Sequence, residues 1–517
     1  MSESNRRTFL KVVGASTAIA SIGLARGAQA AGKGTILAGI SGRTIETDLA
    51  VVGAGCAGLA AAATAANAGL RVAVFEKQDK LATGGNGPFA VESRLQRERR
   101  VNYTVKDALE FYTRHTHCRA DINLIKAYLS KSASIIDWFE ALGINFVDLM
   151  AYYPGAQFVW HYRDPKGSTF TEVLAARIKS QNGIVNIETP VKKLITENGK
   201  IAGLVAEDKS GAVVRVKARA VVIGAGGFGN DSTMVEKFTP FAGYPLKLQQ
   251  MDPGRTGDGI RMAWEAGAAQ SEMFIDIFRS LPAPYSGPGG VPLDLGVLRQ
   301  PLLMVNEQGE RFVNEEMVYD GASAGNAVDA QKGRHAYGIF DEDTNSYYEE
   351  NEWDWVLGQT GYVRSKDVGA IFRKAIGEGY QHLFMTDSIE ELCAKTGINL
   401  EGLRRTLGEY NRACDTGRDE LFFKNDRYLK PVRRPKFYAG RFYVNYYRGL
   451  GGVKINHKAE VMNRDFEVIP GLYCGGNDAN SVCGGTYPFA LAGHMSGFAF
   501  STGRIAGENA TVYIKGA

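Results

Sequence analysis

The chain has 517 residues, 44% of them hydrophobic and 22% charged, and a formal net charge of +4. That apolar content excludes a disordered chain, and the length supports two or three compact domains. The 62 glycines, about 12% of the residues against a usual share of about 7%, follow no triplet period. Collagen is excluded, and the excess marks backbone that approaches backbone or a ligand closely.

The chain opens on Asn5-Arg6-Arg7-Thr8-Phe9-Leu10-Lys11, continues with a mildly apolar run over 12–25 and reaches Ala28-Gln29-Ala30. Paired arginines, a short apolar stretch and a small-x-small site predict a twin-arginine signal peptide over 1–30, hence a periplasmic or otherwise extracytoplasmic protein. The run is shorter than the roughly 20 residues a membrane-spanning helix needs, so an integral membrane protein is not expected. Residues 1–30 carry +3 of the +4, so nucleic acid is not an expected partner. Six cysteines form no C-x-x-C pair, which argues against a covalently attached c-type haem, and the seven scattered histidines suggest no metal site.

Residues 47–52 read as a buried strand that ends in Gly53-Ala54-Gly55-Cys56-Ala57-Gly58. An Ala-rich helix follows to about Ala68, and residues 71–76 form a second strand ending at Glu76. A G-x-G-x-x-G between strand and helix, with an acidic residue after the next strand, predicts a dinucleotide site. Gly53 makes the tight turn, Gly55 lets a pyrophosphate approach the helix N-terminus and Gly58 lets helix and strand pack. Glu76 is placed to accept from ribose hydroxyls.

Further along, 121–142 has apolar residues at helical spacing, and 185–216 alternates like a meander with turns at Asn198-Gly199 and Ser210-Gly211. Residues 217–223 read as a strand running into Gly224-Ala225-Gly226-Gly227, with Thr256-Gly257-Asp258-Gly259 later. A Pro/Gly-rich loop over 282–290 marks passage into another domain. The C-terminal part carries Gly475-Gly476-Asn477 after a strand, then a helix-like stretch around Gly503 and Gly507.

Taken with Thr83-Gly84-Gly85-Asn86, Arg311-Phe312-Val313-Asn314-Glu315, Tyr410-Asn411 and Leu450-Gly451-Gly452-Val453, this pattern resembles the fumarate reductase and succinate dehydrogenase flavoprotein superfamily. The resemblance runs from about residue 45 to the C-terminus. It implies an α/β fold: a two-dinucleotide-binding-motif, Rossmann-like FAD domain in two parts, 45–280 and 436–517, with an inserted α+β capping domain at 281–435. It also implies FAD contacts at Gly53, Gly55, Ala57, Gly58, Glu76, Lys77, Gly84, Gly85, Asn86, Gly226, Gly227, Asp258, Asn477 and Leu491. No His stands over 77–83, where some relatives attach the flavin, so FAD is expected to be noncovalent.

The catalytic positions leave the fumarate reductase pattern. Tyr319 stands where that branch has its proton-delivering Arg, and Arg448-Gly449-Leu450 replaces a His-Thr-Met segment. Tyr319, Tyr487-Pro488 and Asn477 resemble the 3-ketosteroid dehydrogenase branch instead, although Phe489, Ala490 and Leu491 replace its glycines. The expected function is saturation or introduction of a C=C bond conjugated to a carbonyl or carboxyl group. Flavin N5 exchanges the hydride, and Tyr319 and Tyr487 are the catalytic residues, donating a proton or accepting one as phenolate if a neighbour such as Arg448 lowers the phenol's pKa. Arg279, Arg448 and Tyr153 are the expected substrate contacts, and residues 152–162 an aromatic wall. The expected substrate is a small unsaturated carbonyl compound, and electrons come from or go to an external c-type cytochrome, flavin protein or quinone. The alternatives are a 3-ketosteroid-type dehydrogenase, a fumarate-reductase-like carboxylate reductase and a noncatalytic electron-transfer subunit.

Overall fold

The computed structural model describes residues 43–82, 84–244, 254–285, 291–354 and 364–516. The expected signal at 1–30, Thr83 and part of the 282–290 loop lie outside them. Seventeen strands are named here among the described residues: β1 (Arg43–Glu46), β2 (Leu49–Val52), β3 (Val72–Phe75), β4 (Phe146–Met150), β5 (Trp160–Arg163), β6 (Ile184–Asn186), β7 (Val191–Glu197), β8 (Lys200–Glu207), β9 (Val213–Lys217), β10 (Ala220–Ile223), β11 (Gln270–Ser280), β12 (Leu303–Val305), β13 (Ala336–Asp341), β14 (Leu383–Thr386), β15 (Phe437–Val453), β16 (Glu460–Met462) and β17 (Val468–Cys474).

The central sheet has the order β16-β17-β10-β2-β3-β6, parallel from β17 to β6 with β16 antiparallel at the edge. Strands β2, β3 and β10 are apolar and buried at every position, because helices or a second sheet cover both faces of a parallel sheet. The meander expected over 185–216 divides: β6 joins this sheet, while β7, β8 and β9 form a second sheet with β1. The single strand expected over 217–223 is broken at Ala218 and Arg219, where the chain leaves the second sheet for the central one.

Helix α1 (Cys56–Asn67) follows β2 directly. It is rich in alanine, and its buried face receives the C-terminal helix α6 (His494–Gly516). A side chain at Gly503 or Gly507 would collide with the carbonyls of Ala57 or Ala61, so small residues on both helices set the close approach. That contact carries the C-terminal loop 475–496 to the mouth of the first turn. Between them lie α2 (Val105–His115), α3 (Ile122–Ala141, capped by Asp121), α4 (Asp258–Glu265) and α5 (Gly321–Asp329).

The third sheet, β11-β15-β13-β12 with β14 on β15, is antiparallel. Its long strand β15 pairs with β13 and β14 over 437–442 and with β11 over 443–453. The apolar cores divide on the same strand: Phe442 packs with residues from 281–438, Val444 with the core of the central sheet. No helix among the described residues is long and apolar enough to cross a membrane.

Candidate active site

The carboxyl ends of β2, β3 and β10 open onto two contiguous cavities, the position where open parallel sheets bind ligands. The first, of about 90 Å³, is lined by Gly53, Gly55, Phe75, Glu76, Lys77, Val191 and Asp258, among others. The second, of about 570 Å³, is lined by Ala57, Gly84, Gly85, Asn86, Gly226, Asn477, Arg448 and Tyr487, among others. Gly55, Ala82, Gly224 and Arg255 line both, so the two make one trough across the N-terminus of α1.

The trough fits an extended dinucleotide. Gly53 has φ +94°, and a side chain there would collide with the Gly224 carbonyl. Gly55 caps α1 without a side-chain hydrogen bond, which leaves the first helical N–H groups turned outward for a pyrophosphate. Glu76 fixes the turn by accepting from the Ala54 N–H (2.8 Å) and the Gln78 N–H (2.9 Å) while facing the first cavity. Lys77 donates to Asp258 (2.6 Å) and Thr256 (2.7 Å), closing that end with a neutralised pair. On the far wall, Asp478 accepts from the Gly226 N–H (2.8 Å) and the Gly227 N–H (3.0 Å) and so shapes the second glycine turn. Burial raises the Asp478 carboxyl above its ordinary range.

Not every expected contact lies on the trough. Gly58 is a packing residue whose side chain would strike the Gly53 carbonyl, and Gly227 likewise faces the Gly449 carbonyl. Leu491 is wholly buried in the main core.

The larger cavity has an aromatic wall of Tyr152, Trp160, Tyr447, Tyr487 and Phe489, with Met495 and the cation of Arg448. Trp160 is fixed by donating from Nε1 to the Gly87 carbonyl (2.8 Å), and the Tyr152 and Phe489 rings meet at 4.7 Å. Of the residues expected over 152–162, His161 is instead buried against Ser93 (2.6 Å), and Tyr153 faces Asp320 (3.4 Å).

Tyr487 is 7% exposed, and its phenol oxygen accepts from the Met495 N–H (3.2 Å) in the first turn of α6. Beside its ring, His494 holds Tyr112 through Nδ1 and Asn480 through Nε2 (3.1 Å). Burial lowers His494 to about 3, so this support is neutral. Burial, and secondarily Asp276, push the Tyr487 phenol well above its ordinary value. Of the two states left open for this phenol, desolvation favours the protonated one over the phenolate.

Tyr319 lies elsewhere. It lines a smaller cavity, of about 20 Å³, with Arg279, Arg299, Phe278 and Val318. Tyr152 and Tyr447 line this cavity too and form the wall between it and the trough. The Tyr319 ring packs edge-on against Tyr428 at 5.6 Å, and burial raises its phenol as well. Arg279 is buried, donates to the Leu298 carbonyl (2.8 Å) and stacks over Phe442 (4.1 Å). Burial, with Arg299 close by, lowers Arg279 to about 9.

Sequence reasoning missed Tyr447, Asp478, Met495 and Asp276. Asp478 carried a signal, since it follows Asn477 directly in a glycine-rich turn. The other three belong to ordinary strand and helix stretches. None of the six cysteines is in a disulfide.

The family described as FAD binding domain matches residues 48–492. The vinyl phenol reductase of Lactiplantibacillus plantarum is 30% identical, over 90% of this chain and 96% of its own length. A fumarate reductase (cytochrome) of Shewanella frigidimarina is 29% identical, over 90% of this chain and 77% of its own. Among solved structures, a 3-ketosteroid-delta4-(5alpha)-dehydrogenase from Rhodococcus jostii superposes with a TM-score of 0.72 at 22% identity, over 92% of this chain and 99% of that one.

Proposed function

The chain belongs to the FAD binding domain family and is an FAD-dependent oxidoreductase acting on carbon–carbon double bonds; on that premise we propose that it reduces an alkene conjugated to an aryl or carbonyl group in a small aromatic molecule. The observation that carries this reading is the cavity of aromatic walls into which Tyr487 brings a protonated phenol.

Bound FAD supplies the hydride. Gly53, Gly55, Glu76 and Lys77 would hold the adenosine and pyrophosphate end, and Gly84, Gly85, Asn86, Gly226 and Asn477 would line the flavin end. No histidine lines either cavity, which supports noncovalent binding. Tyr152, Trp160, Tyr447 and Phe489 exclude water and hold a planar substrate by ring contact. Tyr487 donates the companion proton from its phenol oxygen, and the Met495 N–H stabilises the charge left on that oxygen, a general-acid role. Arg448 adds positive charge at the same wall.

The aromatic wall suits a substrate like that in the name of the vinyl phenol reductase better than a dicarboxylate, since Arg448 is the only cation on that wall and no histidine lines the cavity. A second reading gives the substrate an anionic far end, received by Arg279, which among the described residues pairs with no carboxylate. Electrons come from an external c-type cytochrome, flavin protein or quinone, and residues 1–30 direct twin-arginine export.

The test is to reduce the FAD-loaded protein with viologen and measure flavin reoxidation by 4-vinylphenol, an aryl acrylate, a ketosteroid and fumarate. The reading expects the aryl alkenes to be fastest. Fumarate turnover at an equal rate overturns it, and a preference for the aryl acrylate favours the Arg279 reading.

A further inference from the structure

The glycine turn after β2 offers the diphosphate of a dinucleotide backbone alone: the N–H groups at the N-terminus of α1, left open by Gly55. A helix terminus supplies about half an elementary charge against a charge on each phosphate, and an anion drawn out of water needs a matching cation. Lys77 is already closed on Asp258 and Thr256. Lys80 is exposed and lines only the smaller cavity, and Arg448 lines only the larger one.

Arg255 stands at the junction. Of Gly55, Ala82, Gly224 and Arg255, the residues that line both cavities, it alone carries a charge. It is half-buried, so its guanidinium is partly desolvated and yet open to the trough.

The backbone seats it there. The Arg255 carbonyl accepts from the Asn230 N–H (2.8 Å), and the Gly257 N–H donates to the Gly227 carbonyl (3.0 Å), which ties 255–257 to the second glycine turn. From this anchor the side chain folds over Gly226 and donates from Nη1 to its carbonyl (3.3 Å). A Cβ on Gly226 would stand 2.0 Å from Nη1, so the glycine leaves the space that the guanidinium fills. The same turn reaches the first one: the Gly224 carbonyl lies 3.8 Å from where a Cβ on Gly55 would stand. The guanidinium and the open N-terminus of α1 thus flank one gap, and a diphosphate that passes from the smaller cavity to the larger meets both.

We propose that Arg255 is the cation that binds the diphosphate of FAD, clamping it at the junction of the two cavities against the N-terminus of α1. A guanidinium presents parallel N–H donors that match two phosphate oxygens, which a lysine ammonium does not. This role concerns retention of the cofactor, so it holds or fails independently of the substrate reading, and its test needs no substrate.

The experiment dilutes the holoenzyme through a concentration series and reads released FAD by its fluorescence, at about 0.05 M and about 0.5 M salt. Arg255→Gln removes the charge at similar length and is expected to raise the dissociation constant about 10- to 100-fold, the loss that follows removal of a charge-assisted hydrogen bond. Arg255→Lys, which keeps the charge without the fork, is expected to fall between Arg255→Gln and the unsubstituted chain. Salt should weaken FAD binding more steeply in the unsubstituted chain than in Arg255→Gln, because screening acts on the ion pair. The midpoint potential of the flavin that stays bound is expected to be unchanged in Arg255→Gln, since the clamp lies on the diphosphate. An unchanged dissociation constant in Arg255→Gln overturns the proposal. So does an equal loss in Arg255→Lys and Arg255→Gln, which would make the effect one of packing. A shifted flavin potential with an unaltered salt dependence overturns it as well, by moving Arg255 to the flavin ring.

Discussion

The trough and the arginine cavity touch at Tyr152 and Tyr447 but are built in opposite ways. At the N-terminus of α1 the trough presents backbone exposed by glycine, with charges already neutralised by partners such as Lys77 and Asp258. The arginine cavity is built mainly of side chains: Arg279 is buried among Phe278, Phe442 and Tyr447 with its pKa pulled down. Each contains one of the two tyrosines singled out by motif. Tyr487 has an amide N–H aimed at its oxygen and a cavity in front of it, whereas Tyr319 has Tyr428 and room for about one water-sized group. The same residue type therefore borders the larger cavity on one side of the wall and a small arginine-lined cavity on the other.

This contrast can be broken at several points. The largest effect is expected from Gly53→Val, where the new side chain meets the Gly224 carbonyl and a φ of +94° disfavours any branched residue. The purified variant should carry no flavin absorbance, and full flavin content would show that the turn is not the cofactor site. Next comes Tyr487→Phe, expected to lower kcat by about 10²- to 10⁴-fold with little change in KM, the usual contribution of a general acid. Steady-state kinetics with 4-vinylphenol decide it.

Acid stability sharpens the comparison on the trough side. His161 and His494 are held neutral by burial, with pKa values of about 4 and about 3. In the unfolded chain they take up protons near pH 6.5, so the unfolded state binds more protons below that value. The stability they contribute is complete above about pH 6.5 and falls as pH drops towards those lowered values. Urea unfolding at pH 5 against pH 7 should show a loss of about 2 kcal/mol per histidine. His494→Asn should remove about half of that loss, and an unchanged slope would place the acid-sensitive groups elsewhere. The smallest effect is expected from Tyr319→Phe, a change in kcat of less than about threefold, since its phenol does not face the trough. A loss as large as that of Tyr487→Phe would show that the wall of Tyr152 and Tyr447 opens during turnover.

Much of the fold was legible in particular stretches. The apolar runs at β2 and β3, the glycines between β2 and α1, and Asp121 before α3 each signal their own local structure. The run over 217–223 misled because its residues suit a strand throughout, and only the change of partner sheet breaks it at Ala218 and Arg219. The cap boundary expected at 435/436 falls just before β15, yet the cores change over seven residues into that strand, where pairing passes from β13 to β11.

The sequence by itself determined the dinucleotide turn, the parallel strands around it and the family, because these depend on backbone conformation and on residues close in the chain. The tertiary structure alone decided which of the two tyrosines lines the larger cavity and that burial holds its phenol above its ordinary pKa. Those properties come from burial and from the meeting of β11, β15, the 152–160 segment and the C-terminal loop. Desolvation and long-range contact leave no periodic mark in the sequence, so no spacing of residues announces them.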